Sequence, residues 1–414
     1  MTPRKMKVGA ALGMRNQNLR AHVLVLLAGV TALSAVARAG VLMPPAGPVI
    51  PTMKTLSDVE PRTAVNATNT PGDADSLFKI AQPGSYYLTG NITGIAGKIG
   101  IELAASGVTL DLNGFDLVGV PSSNGGVVVS VAGTHDIAVV NGAVRNWTAG
   151  GVFLGGVNNT RLTDLLVGGN NFFGIRTGDN AVVTGCIVYD NALAGLSVES
   201  SAVITNCSAY ANRSGPGIRI NGRGCTITNC SAYSNTGGGI IETISAVGNT
   251  ITDCSAHANT GDGIHANYGN TITNCSATLN TGHGIAAEIN SMITKCTTSS
   301  NTLDGIRVKD QCSVRDNTCA SNGFGAGDGA GVHVTGFDNR IEGNDCTIND
   351  RGIDVDIGGN FITRNTCADS TISNWDVVAG NVCLVVSAAA GAAIVGNSGG
   401  VAPGSTDPNA NFTY

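Results

Sequence analysis

Ile227-Thr-Asn-Cys230-Ser-Ala-Tyr-Ser-Asn235-Thr-Gly-Gly-Gly239-Ile240 returns further along the chain as Ile272-Thr-Asn-Cys275-Ser-Ala-Thr-Leu-Asn280-Thr-Gly-His-Gly284-Ile285. The same pattern runs from Asn170 to Ile353 with a period of about 21 to 24 residues: an aliphatic residue, a small residue three later, an Asn eight later, then Gly-Ile. A fixed period of this size means stacked units, each too small to bury its own apolar face and each completed by its neighbours.

Helical repeats need longer apolar runs at 3.6 spacing and avoid Gly and Asn; here each unit is cut into short pieces by Asn, Gly, Ser and Thr. The pieces read as strands. In Gly-Ile218-Arg-Ile220-Asn and Gly-Ile306-Arg-Val308-Lys, Ile and Val alternate with polar residues, so Arg219, Arg307 and Lys309 point outward. Three short strands and three turns account for one coil, and Asn170, Asn191, Asn212, Asn235, Asn259, Asn280, Asn301, Asn322 and Asn349 keep register as turn residues. The fold class is all-β: a single-stranded right-handed parallel β-helix solenoid with terminal caps. Over roughly residues 85–385 the chain resembles the repeat of pectate lyases, polygalacturonases and exported bacterial β-helix proteins of unknown function.

Aromatics at 4 %, charged residues at 13 % and 58 Gly suit tight turns and argue against a layered α/β enzyme. Residues 1–39 are of a different kind. An apolar run from Val23 to Val36 follows Arg15 and Arg20 and precedes Ala37-Arg38-Ala39, as in a secretory signal peptide. The run is short for a membrane span, so none is expected after cleavage. Without this segment 17 Lys+Arg face 29 Asp+Glu, a formal charge of −12, which argues against nucleic acid as a partner. Residues 40–75 are Pro-rich and read as a linker or lead-in, 76–387 as the β-helix, and 388–414 as a C-terminal cap covering the open end. The product is expected outside the cytoplasm: extracellular, at the cell surface or in the periplasm. Oligomeric state is not legible.

Cys186, Cys207, Cys230, Cys254, Cys275 and Cys296 each fall three residues after the inward aliphatic and form one column, which Asn317, Asn344 and Asn365 continue; Cys319, Cys346 and Cys367 occupy the neighbouring Ala column. Cysteine here is a small buried filler. Stacked Cβ vectors run parallel, which favours free thiols. No C-x-x-C occurs, and neither a metal site nor a cofactor is expected.

Chemistry falls to the outward positions of the Gly-Ile strand. The residue before that Gly reads Phe173, Ala194, Pro216, Gly238, Asp262, His283, Asp304 and, after a longer turn, Arg351. The position after Ile carries Arg219, His265, Arg307, His333 and Asp354, and two further on stand Glu199, Glu288, Lys309 and Asp356. Insertions at Glu242–Gly248 and Gly323–Gly331 lengthen turns that could wall a cleft. Asp262, His283 and Asp304 are the catalytic candidates; His265, Glu288, Arg307 and Lys309 are the substrate-binding ones. Asp262 and Asp304 lie two rungs apart, about 9.6 Å, near the separation of an inverting glycosidase pair. Asn259-Thr-Gly-Asp262-Gly-Ile, Gly282-His283-Gly284 and Arg307-Val-Lys309 resemble the Asn-Thr-Asp-Gly, Gly-His-Gly and Arg-Ile-Lys motifs of polygalacturonases. The paired Asp-Asp coil of that family is absent, and Arg-x-Lys comes a coil early. Asp in Asn-x-Gly-Asp-Gly-Ile is equally a turn former that satisfies backbone donors. Two functions stand open: binding or processing of a polysaccharide, by hydrolysis or by lyase chemistry, and a non-catalytic envelope or surface role.

Overall fold

The computed structural model describes residues 60–324, 329–387, 394–396 and 407–413. The expected signal segment, most of the lead-in, the tip of the Gly323–Gly331 loop and most of the expected cap lie outside the described residues. Among the described residues every named strand pair is parallel, and no helix is long and apolar enough to cross a membrane. Each coil supplies three strands, as in Val182–Thr184, Ile187–Tyr189 and Leu196–Val198. The first two join a 28-stranded sheet that bends between them, and the third joins a 15-stranded sheet, hereafter the Gly-Ile sheet.

Thr-Ile-Thr and its variants form the first strand because β-branched residues suit a pleated, half-buried surface. In-register pairing stacks Ile204, Ile227, Ile251, Ile272, Ile293 and Val314 into one inward column, each fully buried. Each such side chain contributes about 1.5–3 kcal/mol relative to exposure. The same register places Tyr189, Tyr210 and Tyr233 on the outside, stacked with centroids 5.5 and 4.8 Å apart.

The nine Asn residues expected at turns do more than turn the chain. From Asn191 to Asn349 each Oδ1 accepts both the backbone N–H and the Nδ2 of the preceding Asn; between Asn259 and Asn280 both bonds are 3.0 Å. The free side-chain N–H then reaches a strand carbonyl, as Asn280 Nδ2 does to Ala256 O at 3.1 Å. The ladder is buried and satisfied, which is how it fixes register. The left-handed residue is the one before it: Ala211, Ser234, Ala258, Leu279 and Ile348 all have φ between 52° and 58°. Gly before Ile is required by close approach, since a Cβ on Gly263 would sit 2.6 Å from both Asn280 Nδ2 and Gly284 O.

The cysteine columns stand as expected. All twelve cysteines are buried and unpaired, and Cys296 N–H donates to Asn317 Oδ1 at 2.8 Å where the thiol column passes into an Asn ladder ending at Asn411. The boundaries differ from expectation at both ends. From Pro61 the chain belongs to the compact unit, and Thr63–Ala64 pairs with Tyr86–Tyr87, so the lead-in ends earlier than residue 75. Asn411–Thr413 adds a strand beside Thr366–Ala368 rather than only lying over the end.

Candidate functional site

In the Gly-Ile sheet one side-chain column lies inward, through Ile264, Ile285, Ile306, Val332 and Ile353. The adjacent outward column reads Arg176, Ser197, Arg219, Ile241, His265, Ala286, Arg307, His333, Asp354 and Asp376. The column before Gly places Asp262, His283 and Asp304 on successive coils, then Ala330 and Arg351.

Asp262 and Asp304 play the same two-part role. One oxygen holds the next coil: Asp262 Oδ1 accepts the His283 backbone N–H, and Asp304 Oδ1 accepts that of Ala330, both at 2.8 Å. The other oxygen holds imidazoles. Asp262 Oδ2 lies 3.0 Å from His265 Nδ1, whereas Asp304 Oδ2 lies 3.0 Å from His283 Nδ1 and 3.1 Å from His333 Nδ1. Turn-forming and side-chain positioning are therefore properties of the same carboxylate. The Asp304 N–H also points at His283 Nδ1, at 3.3 Å. The shorter carboxylate contact sets the tautomer, because an unprotonated Nδ1 would face an oxygen with no proton between them.

Burial separates the two acids: the Asp304 side chain is 2 % exposed, that of Asp262 22 %. Burial works against the Asp304 carboxylate, but the bonds from His283 and His333 outweigh it and hold the group down at about 2. Asp262 is likewise lowered, its burial overcome by His265 and the His283 N–H. His265 is raised, first by its bond to Asp262. Burial would lower His333, yet the Asp304 bond and charge raise it to about 9. On its other side His333 Nε2 lies 3.2 Å from Asp356 Oδ2 and 4.0 Å from Asp354 Oδ2. Burial pushes the Asp354 carboxyl up to about 6.

Of the substrate-binding candidates, Arg307 and Glu288 pair across adjacent coils at 3.3 Å, and His265 joins Asp262. Lys309 is exposed and has no ion-pair partner among the described residues. The Glu242–Gly248 insertion does not put its carboxylate on this face. Glu242 stands in register with Ile220, is buried, and accepts bonds from the Asn249 and Asn270 side chains and the Asn267 N–H.

His333, Asp354 and Asp356 belong to the cluster although the repeat motifs do not single them out. The signal available was their place in the outward columns; what hid them was the coil from Asn322 to Asn349, 27 residues rather than 21.

No protein-family model matches the chain, and no curated protein matches it in sequence. Solved structures similar in shape include two modules of mannuronan C-5 epimerases. The A-module of the Azotobacter vinelandii mannuronan C-5 epimerase AlgE4 has a TM-score of 0.50 and 13 % identity over 68 % of this chain and 91 % of that one. The AlgE6 A-module from the same organism has a TM-score of 0.51 and 14 % identity over 81 % of this chain and 90 % of that one. At this identity the likeness speaks for the fold, and the chain is a right-handed parallel β-helix.

Proposed function

We propose that this chain binds and processes an acidic polysaccharide laid along the outward face of the Gly-Ile sheet, outside the cytoplasm. The observation that carries the reading is the cation spacing. Arg176, Arg219, His265 and Arg307 stand on every second rung of one column and lead directly to the His283–Asp304 pair. Two rungs are about 9.6 Å, a spacing suited to alternate sugars of an extended two-fold chain. In a protein with an excess of acidic residues, such a stripe favours a ligand with regularly placed carboxylates. Mannuronan epimerases share the fold, which supports a glycan on such a surface. Export rests on the sequence of residues 1–39.

The geometry favours proton abstraction over hydrolysis by paired carboxylates. An inverting pair needs one protonated acid, whereas Asp262 and Asp304 each accept from a backbone N–H and at least one imidazole. With Nδ1–H given to Asp304, His283 presents the Nε2 lone pair, which has no partner among the described residues. Nε2 can take the proton beside a uronate carboxylate, with Arg307 neutralising that carboxylate as charge develops.

The test is a panel of polyuronates and neutral glycans, with calorimetric binding and incorporation of solvent deuterium into the sugar ring. Polyuronate binding that weakens at least tenfold in Arg219→Glu and Arg307→Glu, with exchange lost in His283→Gln, is the expected result. Equal affinity for neutral and acidic glycans would refute the substrate class. Binding without exchange would leave a lectin-like wall and refute the proton-transfer role.

A further inference from the structure

We infer that His333, Asp354 and Asp356 form a binding site for a divalent first-row transition ion. His333 Nε2 and one carboxylate oxygen from each aspartate lie within 4.8 Å of one another. The individual separations from Nε2, 3.2 Å to Asp356 and 4.0 Å to Asp354, bracket the ligand-to-ligand distance of about 3.3 Å that bonds of 2.0–2.1 Å give in a tetrahedral site.

Two further observations point to a ligand. His333 gives its other ring nitrogen to Asp304, a buried carboxylate whose second oxygen is fixed by the Ala330 N–H. A carboxylate behind a histidine is the arrangement that orients imidazole toward a metal and raises its basicity. Asp354 is only 6 % exposed, yet its carboxylate accepts no hydrogen bond from the described residues. Its nearest cation is Arg351 Nε at 3.6 Å, which hydrogen-bonds Asp376 at 3.2 Å. A buried carboxylate that accepts no hydrogen bond and has only long ion pairs, to Arg351 and His333, is costly, and a bound cation would complete it. Asp356, half exposed, closes the site and leaves it open to solvent. The donor set also selects the ion. One imidazole and two carboxylates suit zinc, manganese or cobalt, whereas calcium requires six to eight oxygens that these groups do not supply.

This inference does not rest on the polysaccharide reading and is tested without glycan. The full chain, stripped with chelator, is titrated with Co2+ while absorption and calorimetric stoichiometry are followed. One equivalent should bind without thiolate charge-transfer absorption, with Ca2+ at least tenfold weaker. Asp356→Asn, a change at an exposed side chain that preserves the fold, should weaken Co2+ at least tenfold. Asp304→Asn should weaken it about 10–100-fold through the histidine. The inference is overturned by absence of saturable binding, by a thiolate band placing the ion on the cysteines, by Ca2+ binding as tightly as Co2+, or by wild-type affinity in Asp356→Asn.

Discussion

Asp304→Asn separates the two roles of this carboxylate. Asparagine has the same shape, and its Oδ1 keeps the 2.8 Å bond from the Ala330 N–H. Its Nδ2 then replaces the oxygen that faces His283 at 3.0 Å and His333 at 3.1 Å. An amide nitrogen accepts nothing, so both rings lose a charge-assisted bond, at about 1.5–3 kcal/mol each. Removing a buried carboxylate returns part of its desolvation cost, several kcal/mol. The net loss of stability should be about 1–3 kcal/mol, a fall of a few degrees in Tm. The effect on turnover should be far larger. With an N–H facing it, His283 keeps Nδ1 unprotonated and moves its proton to Nε2, where a base needs a lone pair. Amide replacement of an orienting carboxylate has cost about 10⁴ in kcat in serine proteases, and a loss on the order of 10³–10⁴ is expected here. Solvent-deuterium incorporation into a polyuronate measures the rate, and nitrogen-15 NMR of labelled histidine reports the His283 tautomer. A variant that keeps more than a tenth of wild-type exchange, with the His283 proton still on Nδ1, would refute the reasoning.

Native protein should resist thiol reagents, and denatured, unreduced protein should label at all twelve cysteines; burial holds Cys312 and Cys383 up at about 11 and about 12. A disulfide-linked peptide in a non-reducing map would overturn this. Asn280→Ala removes two donated and two accepted ladder bonds in a buried site and should cost about 3–5 kcal/mol by thermal or denaturant melting; a loss under about 1 kcal/mol would show that the ladder does not hold register. His265, raised by Asp262, contributes fully below its unfolded pKa of about 6.5 and loses that contribution as pH rises through the higher folded value; Asp262, lowered, contributes above about 3.9 and loses its share as pH falls. His265→Gln should therefore destabilise by about 0.5–1 kcal/mol near pH 5.5 and by little near pH 9, and a pH-independent difference would contradict the pairing. Intact mass of exported material should begin at Gly40, and retention of residues 1–39 would sink the signal-peptide assignment.

The inward columns were legible because each depends on one side chain per rung, so Ile251, Ile272 and Ile293 announce themselves by spacing alone. The Asn ladder was legible in position and misread in mechanism: the left-handed residue is Leu279 or Ile348, types that ordinarily avoid positive φ, held there by bonds on both sides. Counting along the repeat placed Asp262, His283 and Asp304 correctly on one column. It did not show that the Asp304 side chain is buried, nor that His333 shares it, because both depend on a coil whose length departs from the period. Glu242, at the start of a lengthened turn, stands in register with Ile220 and is buried, which the spacing of the repeat does not announce.

That departure explains how a repeating scaffold acquires a site. Asp262 and Asp304 start from the same position, and each fixes the next coil through one oxygen at the same distance. Above Asp262 the next coil keeps the ordinary length of 21 residues from Asn280 to Asn301, and the second oxygen meets one histidine from its own coil, three residues on. Above Asp304 the Asn ladder steps 21 residues to Asn322 and then 27 to Asn349; His333 comes down over the carboxylate, whose side-chain exposure is 2 % rather than 22 %. Burial of an unpaired carboxylate costs several kcal/mol, so Asp304 is tolerated there because imidazoles from the coils on either side, His283 and His333, both reach it. Replacing His333 with alanine would thus remove the cover and this contact together, and leave Asp304 with the His283 ring and the Ala330 N–H. The inward Ile column would not register the change, because each rung buries the same residue against the same neighbours.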